Sequence, residues 1–115
     1  MTRHLPSYLK PLRVQHGLSQ LELAHLMGIS VSLLSKVESL TRRPTARVIL
    51  PAELVFGLPA REIFPGAYND IGKEVGQRAR SLRVQLKHRP DPAIVEKIAL
   101  LKTMTKRLGA SNKEA

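Results

Sequence analysis

The chain has no cysteine and no tryptophan, and only two tyrosines and two phenylalanines among its 115 residues. Without cysteine it has neither a disulfide framework nor a thiolate metal site. With so few aromatics, the core has to be built from Leu, Ile, Val and Ala. Stacking on single-stranded bases also loses its main tool. No apolar run approaches the ~18 residues of a bilayer span. Arg3, His4, Pro6 and Lys10 interrupt the amino end, so it lacks the apolar core of a secretory signal. No alternating run of β-branched residues suggests a sheet. Acidic residues are scarce as well, at nine Asp and Glu against 19 Lys and Arg.

What is present is positive charge and helix-forming composition. A net charge of +10 and a pI near 10.7 on so short a chain call for a polyanionic partner. Hydrophobic residues make up 43%, enough for a core. Long stretches rich in Leu, Ala, Glu, Lys and Arg favour helix. The expectation is an all-α protein, one small domain at residues 8–65 with a helical extension at 66–115.

Punctuation along the chain places the helices. Met1–Ser7 reads as a loose start. A first helix runs to about His16 with Leu9, Leu12 and Val14 inward, and Gly17 ends it. Ser19-Gln-Leu-Glu22 spells a capping box. The second helix runs to about Met27, with Leu23, Leu26 and Met27 at spacing for burial and Ala24 at a close helix crossing. Gly28 makes the turn, Ile29 plugs the corner and Ser30 caps a third helix over about 31–39. Leu34 and Val37 face its core side, while Ser32, Ser35, Lys36 and Ser39 point elsewhere. A basic loop with Arg42 and Arg43 follows. Thr45 is placed to cap a fourth helix, which Pro51 should kink or divide and Gly57 should end. A fifth turn covers 60–64, and Pro65-Gly66 closes the unit.

Beyond Gly66, Ile71, Val75, Ala79, Leu82 and Leu86 form the apolar stripe of an amphipathic helix. Its other face carries Lys73, Arg78, Arg80, Arg83, Lys87 and Arg89. Pro90-Asp-Pro92 breaks it, with Asp91 as N-cap of a last helix and Pro92 as its first residue. Ile94, Ile98, Leu101 and Leu108 share a face of that helix, Gly109 ends it, and 110–115 should fray.

Gly17-Leu-Ser-Gln20, Glu22-Leu-Ala24, Gly28-Ile-Ser30, Ser32, Ser35, Glu38, Pro44, Gly57 and Glu62-Ile-Phe64 occur in one order and spacing. In these residues the chain resembles the Cro/C1-type helix-turn-helix proteins, the xenobiotic-response-element family, of a kind found on phages and mobile elements. The resemblance implies a five-helix lambda-repressor-like bundle that binds duplex DNA. It departs from the usual pattern at Ser39-Leu40, where a polar residue and glycine are customary, and at Pro51.

The third helix would then be the reading helix. Val31, Ser32, Ser35 and Lys36 are its candidate base contacts: Val31 for a thymine methyl, Lys36 for guanine O6 or N7 or for a phosphate, and the serines for several bases. Ser19, Gln20, Ser39, Arg42 and Arg43 are the candidate phosphate contacts. Glu38 is placed either to hold an arginine of the first helix, such as Arg13, or to face solvent. No Gln, Asn or Arg stands on the reading helix for bidentate pairing, so DNA shape should carry part of any preference.

His4, His16, His25 and His88 lack metal-ligand spacing, and no catalytic constellation or phosphate loop is visible. The expectation is a non-enzymatic transcriptional repressor without cofactor, cytoplasmic and nucleoid-associated in a prokaryotic or phage-infected cell. It should act as a homodimer formed partly by residues 68–108, with no membrane partner. The alternative is an antitoxin-type protein whose C-terminal helices bind a partner protein and which binds DNA to regulate itself.

Overall fold

A computed structural model describes residues 7–89 and 91–114, with side chains through Gly109. The expectations for residues 1–6 and for Pro90 lie outside the described residues. Every regular element among those described is a helix: α1 (Leu9–Gln15), α2 (Gln20–Met27), α3 (Val31–Glu38), α4 (Ala46–Phe56), α5 (Ala60–Ile63), α6 (Pro65–Lys87) and α7 (Ile94–Glu114). The chain divides into two compact units, the first ending at Tyr68 and the second starting at Asn69.

In the first unit, α2 packs on α3 and α4, and α4 packs on α5. Leu9, Leu23, Leu34, Ala52 and Ile63 are fully buried, with Ala24, Met27, Val37, Val48 and Phe64 nearly so. Leu12, Ile29 and Leu33 close over this core. A buried Leu of this kind costs about 2–5 kcal/mol to truncate, so the aliphatic centre fixes how the helices meet. Two residues expected inward point out: Val14 is 59% exposed and Leu26 is 55% exposed. The helices are short, so each buries a narrow strip, Leu9 on α1 and Leu23, Ala24 and Met27 on α2.

Local chemistry sets the helix ends. The Ser19 backbone N–H donates to Glu22 Oε1 at 2.8 Å, and the Glu22 N–H donates to Ser19 Oγ at 3.0 Å, completing the capping box. Ser30 Oγ accepts from the Leu33 N–H at 3.0 Å. Gly28 sits at φ +70°, left-handed backbone where a side chain is costly. Thr45 occupies the N-cap of α4, but its side chain makes no capping bond; its carbonyl instead accepts from the N–H groups of Val48 and Ile49.

The chain is not divided at three places where proline or glycine suggests an end or a division. Pro51 lies inside α4, which continues to Phe56. Its ring removes one intrahelical bond, that to the carbonyl of exposed Arg47, and α4 remains a single helix with Val48 and Ala52 anchored in the core. Pro65-Gly66 does not close the first unit: Pro65 is the first residue of α6, where a missing N–H costs nothing. Gly109 lies within α7, which runs on to Glu114 and so does not end where the glycine suggested; Ala115 lies outside the described residues. A helix-interior glycine costs only about 1 kcal/mol relative to alanine.

In the second unit, Ala79, Leu86 and Leu101 are buried, with Ile94, Ile98 and Met104 packed against them. Asp91 Oδ1 accepts from the Ala93 N–H at 2.8 Å, and the Asp91 carbonyl accepts from the Ile94 N–H at 3.1 Å. The helix therefore starts at Ile94, two residues after the expected Pro92. Asp91 also pairs with Lys97. Ile71, Val75 and Leu82, three of the five stripe residues, remain 52%, 37% and 42% exposed.

Candidate nucleic-acid interface

The α3 sequence sorts itself by helical period. At about 100° per residue, Leu34 and Val37 share one side, and Val31, Ser32, Ser35 and Lys36 fill an arc of roughly 140° opposite them. The structure agrees: Leu34 and Val37 are buried, and the other four are exposed. The four expected base contacts therefore lie together on one outward face. That face carries hydroxyls, one methyl-bearing side chain and one ammonium group, with no acid among them.

The inner end of α3 is fastened by an ion pair. Arg13 Nε lies 2.7 Å from Glu38 Oε2, and Arg13 Nη2 donates to Glu38 Oε1 at 3.1 Å. Arg13 Nη1 also donates to the Leu18 carbonyl at 2.9 Å. The Glu38 side chain is only 2% exposed. A carboxylate at that depth needs its charge matched, and the two-pronged guanidinium supplies the match. Of the two roles open to Glu38 in the sequence, the structure shows the arginine partner.

The expected phosphate contacts fall at two places. Ser19 and Gln20 stand at the amino end of α2, and Ser39, Arg42 and Arg43 follow α3. At least four of them, Arg43 included, already have partners within the chain. Ser19 Oγ caps α2. Gln20 Nε2 donates to Glu38 Oε1 at 3.0 Å. Ser39 Oγ donates to the Lys36 carbonyl at 3.2 Å and lies 3.1 Å from Thr41 Oγ1. Arg42 and Arg43 are exposed.

The unusual Ser39-Leu40 pair takes a definite path. The Leu40 N–H donates to the Val37 carbonyl and the Thr41 N–H donates to the Lys36 carbonyl, at 3.2 and 3.0 Å. This is the paired closure of a helix end that ordinarily uses glycine. The same pattern ends α2, from Gly28 to His25 and from Ile29 to Ala24. Leu40 accordingly adopts φ +65°, and among the described residues no other non-glycine has a positive φ.

Arg47, absent from the sequence-based site, proves to be part of this region. Its Nη2 donates to the Gly28 carbonyl at 2.9 Å, linking the first turn of α4 to the corner between α2 and α3. A Cβ on Gly28 would lie 2.6 Å from that nitrogen. No spacing rule pairs residues 28 and 47, so only the packed helices reveal the contact.

The Glu22 carboxyl is held below its ordinary value, first by the Ser19 backbone N–H and then by the Ser19 side chain. Asp91 is lowered by its bond to Lys97 and then by the Ala93 N–H. Among the described residues no cluster of His, Asp or Glu could hold a metal ion, and no helix is long and apolar enough to cross a membrane.

Residues 9–63 match a family described as Helix-turn-helix. No curated protein and no solved structure matches the chain significantly.

Proposed function

Through residues 9–63 the chain belongs to the Cro/C1-type helix-turn-helix proteins, a family of DNA-binding transcription regulators, and from that premise we propose that it is a sequence-specific repressor. In this reading α3 lies in the major groove, and Val31, Ser32, Ser35 and Lys36 meet base edges. Ser19, Gln20, Ser39, Arg42 and Arg43 hold the phosphate backbone on either side. Occupying a promoter in this way blocks transcription.

The observation that carries this reading is the outward face of α3, acid-free and backed by the buried Leu34 and Val37. The Arg13–Glu38 pair supports it by fixing the far end of the same helix. A reading helix has to be held rigidly, because hydrogen bonds to base edges tolerate little misplacement.

One such helix spans few base pairs, and a second copy one DNA turn away, about 34 Å, doubles the contacts. Ile71, Val75 and Leu82, exposed on one side of α6, favour a homodimer covering them. The same residues suit a foreign helix in the antitoxin-type alternative. Co-purification of a second polypeptide would favour that alternative, and light scattering at twice the monomer mass would favour the homodimer.

Selection of bound duplexes from a random pool tests the reading. A repressor of this kind enriches a short, two-fold symmetric site. Enrichment of no sequence would remove the sequence-specific function.

A further inference from the structure

The positive charge is not concentrated where the bases would be read. Residues 1–68 hold eight Lys and Arg against four Asp and Glu, and residues 69–115 hold eleven against five. The second unit, outside the matched family segment, thus carries the larger net charge, +6 against +4.

On α6 part of this charge is ordered. Lys73, Arg80 and Lys87 recur every seven residues, a spacing that keeps them within an arc of about 40° along roughly 21 Å of helix. All three are exposed, and none makes an ion pair or hydrogen bond among the described residues. The acids of the helix, Asp70 and Glu74, fall about 60° or more off this line. Beside it, within the same unit, lies a cavity of about 350 Å³ between α6 and α7, with Lys73 and Arg80 at its lip and Gly72, Gly76, Gln77 and Thr105 in its wall. The two glycines keep that wall low.

We propose that the Lys73–Arg80–Lys87 line is a second, sequence-independent contact to duplex DNA, gripping phosphates outside the site read by α3. The proposal rests on the DNA-binding reading of the first unit. A row of cations free of acids along a straight rod matches a regularly charged polyanion. The partner is already tethered: once the first unit binds, the local concentration of phosphate around the second is high, and each added contact strengthens binding without new base recognition.

The test compares the full chain with a Lys73→Gln/Arg80→Gln/Lys87→Gln variant and with a control of equal charge loss, Lys10→Gln/Arg61→Gln/Lys102→Gln. Binding to a selected duplex and to a scrambled one is followed across salt concentrations. The stripe variant should lose about tenfold or more in affinity on both duplexes, its log K against log salt slope should be shallower by roughly 2–3, and its preference between the two should be unchanged. The control should change the slope by less than half as much. A stripe-variant slope within about 0.5 of wild type, or an equal change in the control, overturns the proposal. Retention of the DNA slope with loss of binding to phosphatidylserine vesicles reassigns the stripe to a membrane surface. Failure of the wild type to prefer the selected duplex counts against the repressor reading alone, because the slope on the scrambled duplex still reports the stripe.

Discussion

Arg13 and Glu38, 25 residues apart, meet through two hydrogen bonds of 2.7 and 3.1 Å, and the carboxylate is almost fully enclosed. The contact joins α1 to the last residue of α3. Gln20 adds a third bond to the same carboxylate, so three helices converge on one buried charge.

Removing one partner would strand the other. Glu38→Ala should lower unfolding free energy by about 3–5 kcal/mol, the usual cost of an orphaned charge from a buried pair. Urea denaturation measures it. A loss below about 1 kcal/mol would mean that the pair behaves like a surface contact.

Leu40 holds a left-handed conformation that costs an L-residue about 1–2 kcal/mol. Leu40→Gly should therefore raise stability, by about 0.5–1 kcal/mol after the extra freedom of glycine in the unfolded chain is deducted. A lowered urea midpoint would show that the half-buried leucine side chain contributes more than its backbone costs.

Gly28 faces two constraints, a φ of +70° and the Arg47 guanidinium where a Cβ would go. Gly28→Ala should cost about 1–2 kcal/mol from the backbone alone. The new methyl also displaces Arg47 from the Gly28 carbonyl, so part of the penalty should vanish in an Arg47→Ala background. Additive losses in the double-mutant cycle would contradict the contact.

Glu22 has a lowered pKa because its ionised form accepts from Ser19. Its contribution to stability is thus complete above the unfolded-state pKa and is lost as pH falls through the lower folded value. Carbon NMR should find Glu22 titrating below ordinary glutamates, and Glu22→Gln should flatten the acid limb of the stability profile. Titration at the usual position would remove the capping contribution.

Much of this could be read directly from the residues. Ser19, Glu22, Gly28 and Ser30 act through neighbours three or four positions away, so their roles in capping and turning were legible. Leu34 and Val37 follow from periodicity, and so do the opposed Ser32, Ser35 and Lys36. Long-range selection was not legible. Whether Glu38 met Arg13 or solvent depended on how α1 packs, and Val14 and Leu26 fit the helical period as well as the residues that won the core. The Arg47–Gly28 bond left no local trace. Pro51 does not divide its helix, whose buried face anchors it, and Pro65 stands at a first helical position where it does no harm.

The central claim is that the outer face of α3 reads base pairs. Its most direct test is fluorescence anisotropy of wild type, Ser32→Ala and Lys36→Ala on the selected duplex and on a scrambled one, with matched salt. The account predicts that each substitution lowers the ratio of the two affinities by roughly tenfold, the scale of one lost base contact, while binding to the scrambled duplex changes less. An unchanged ratio in both variants would contradict it.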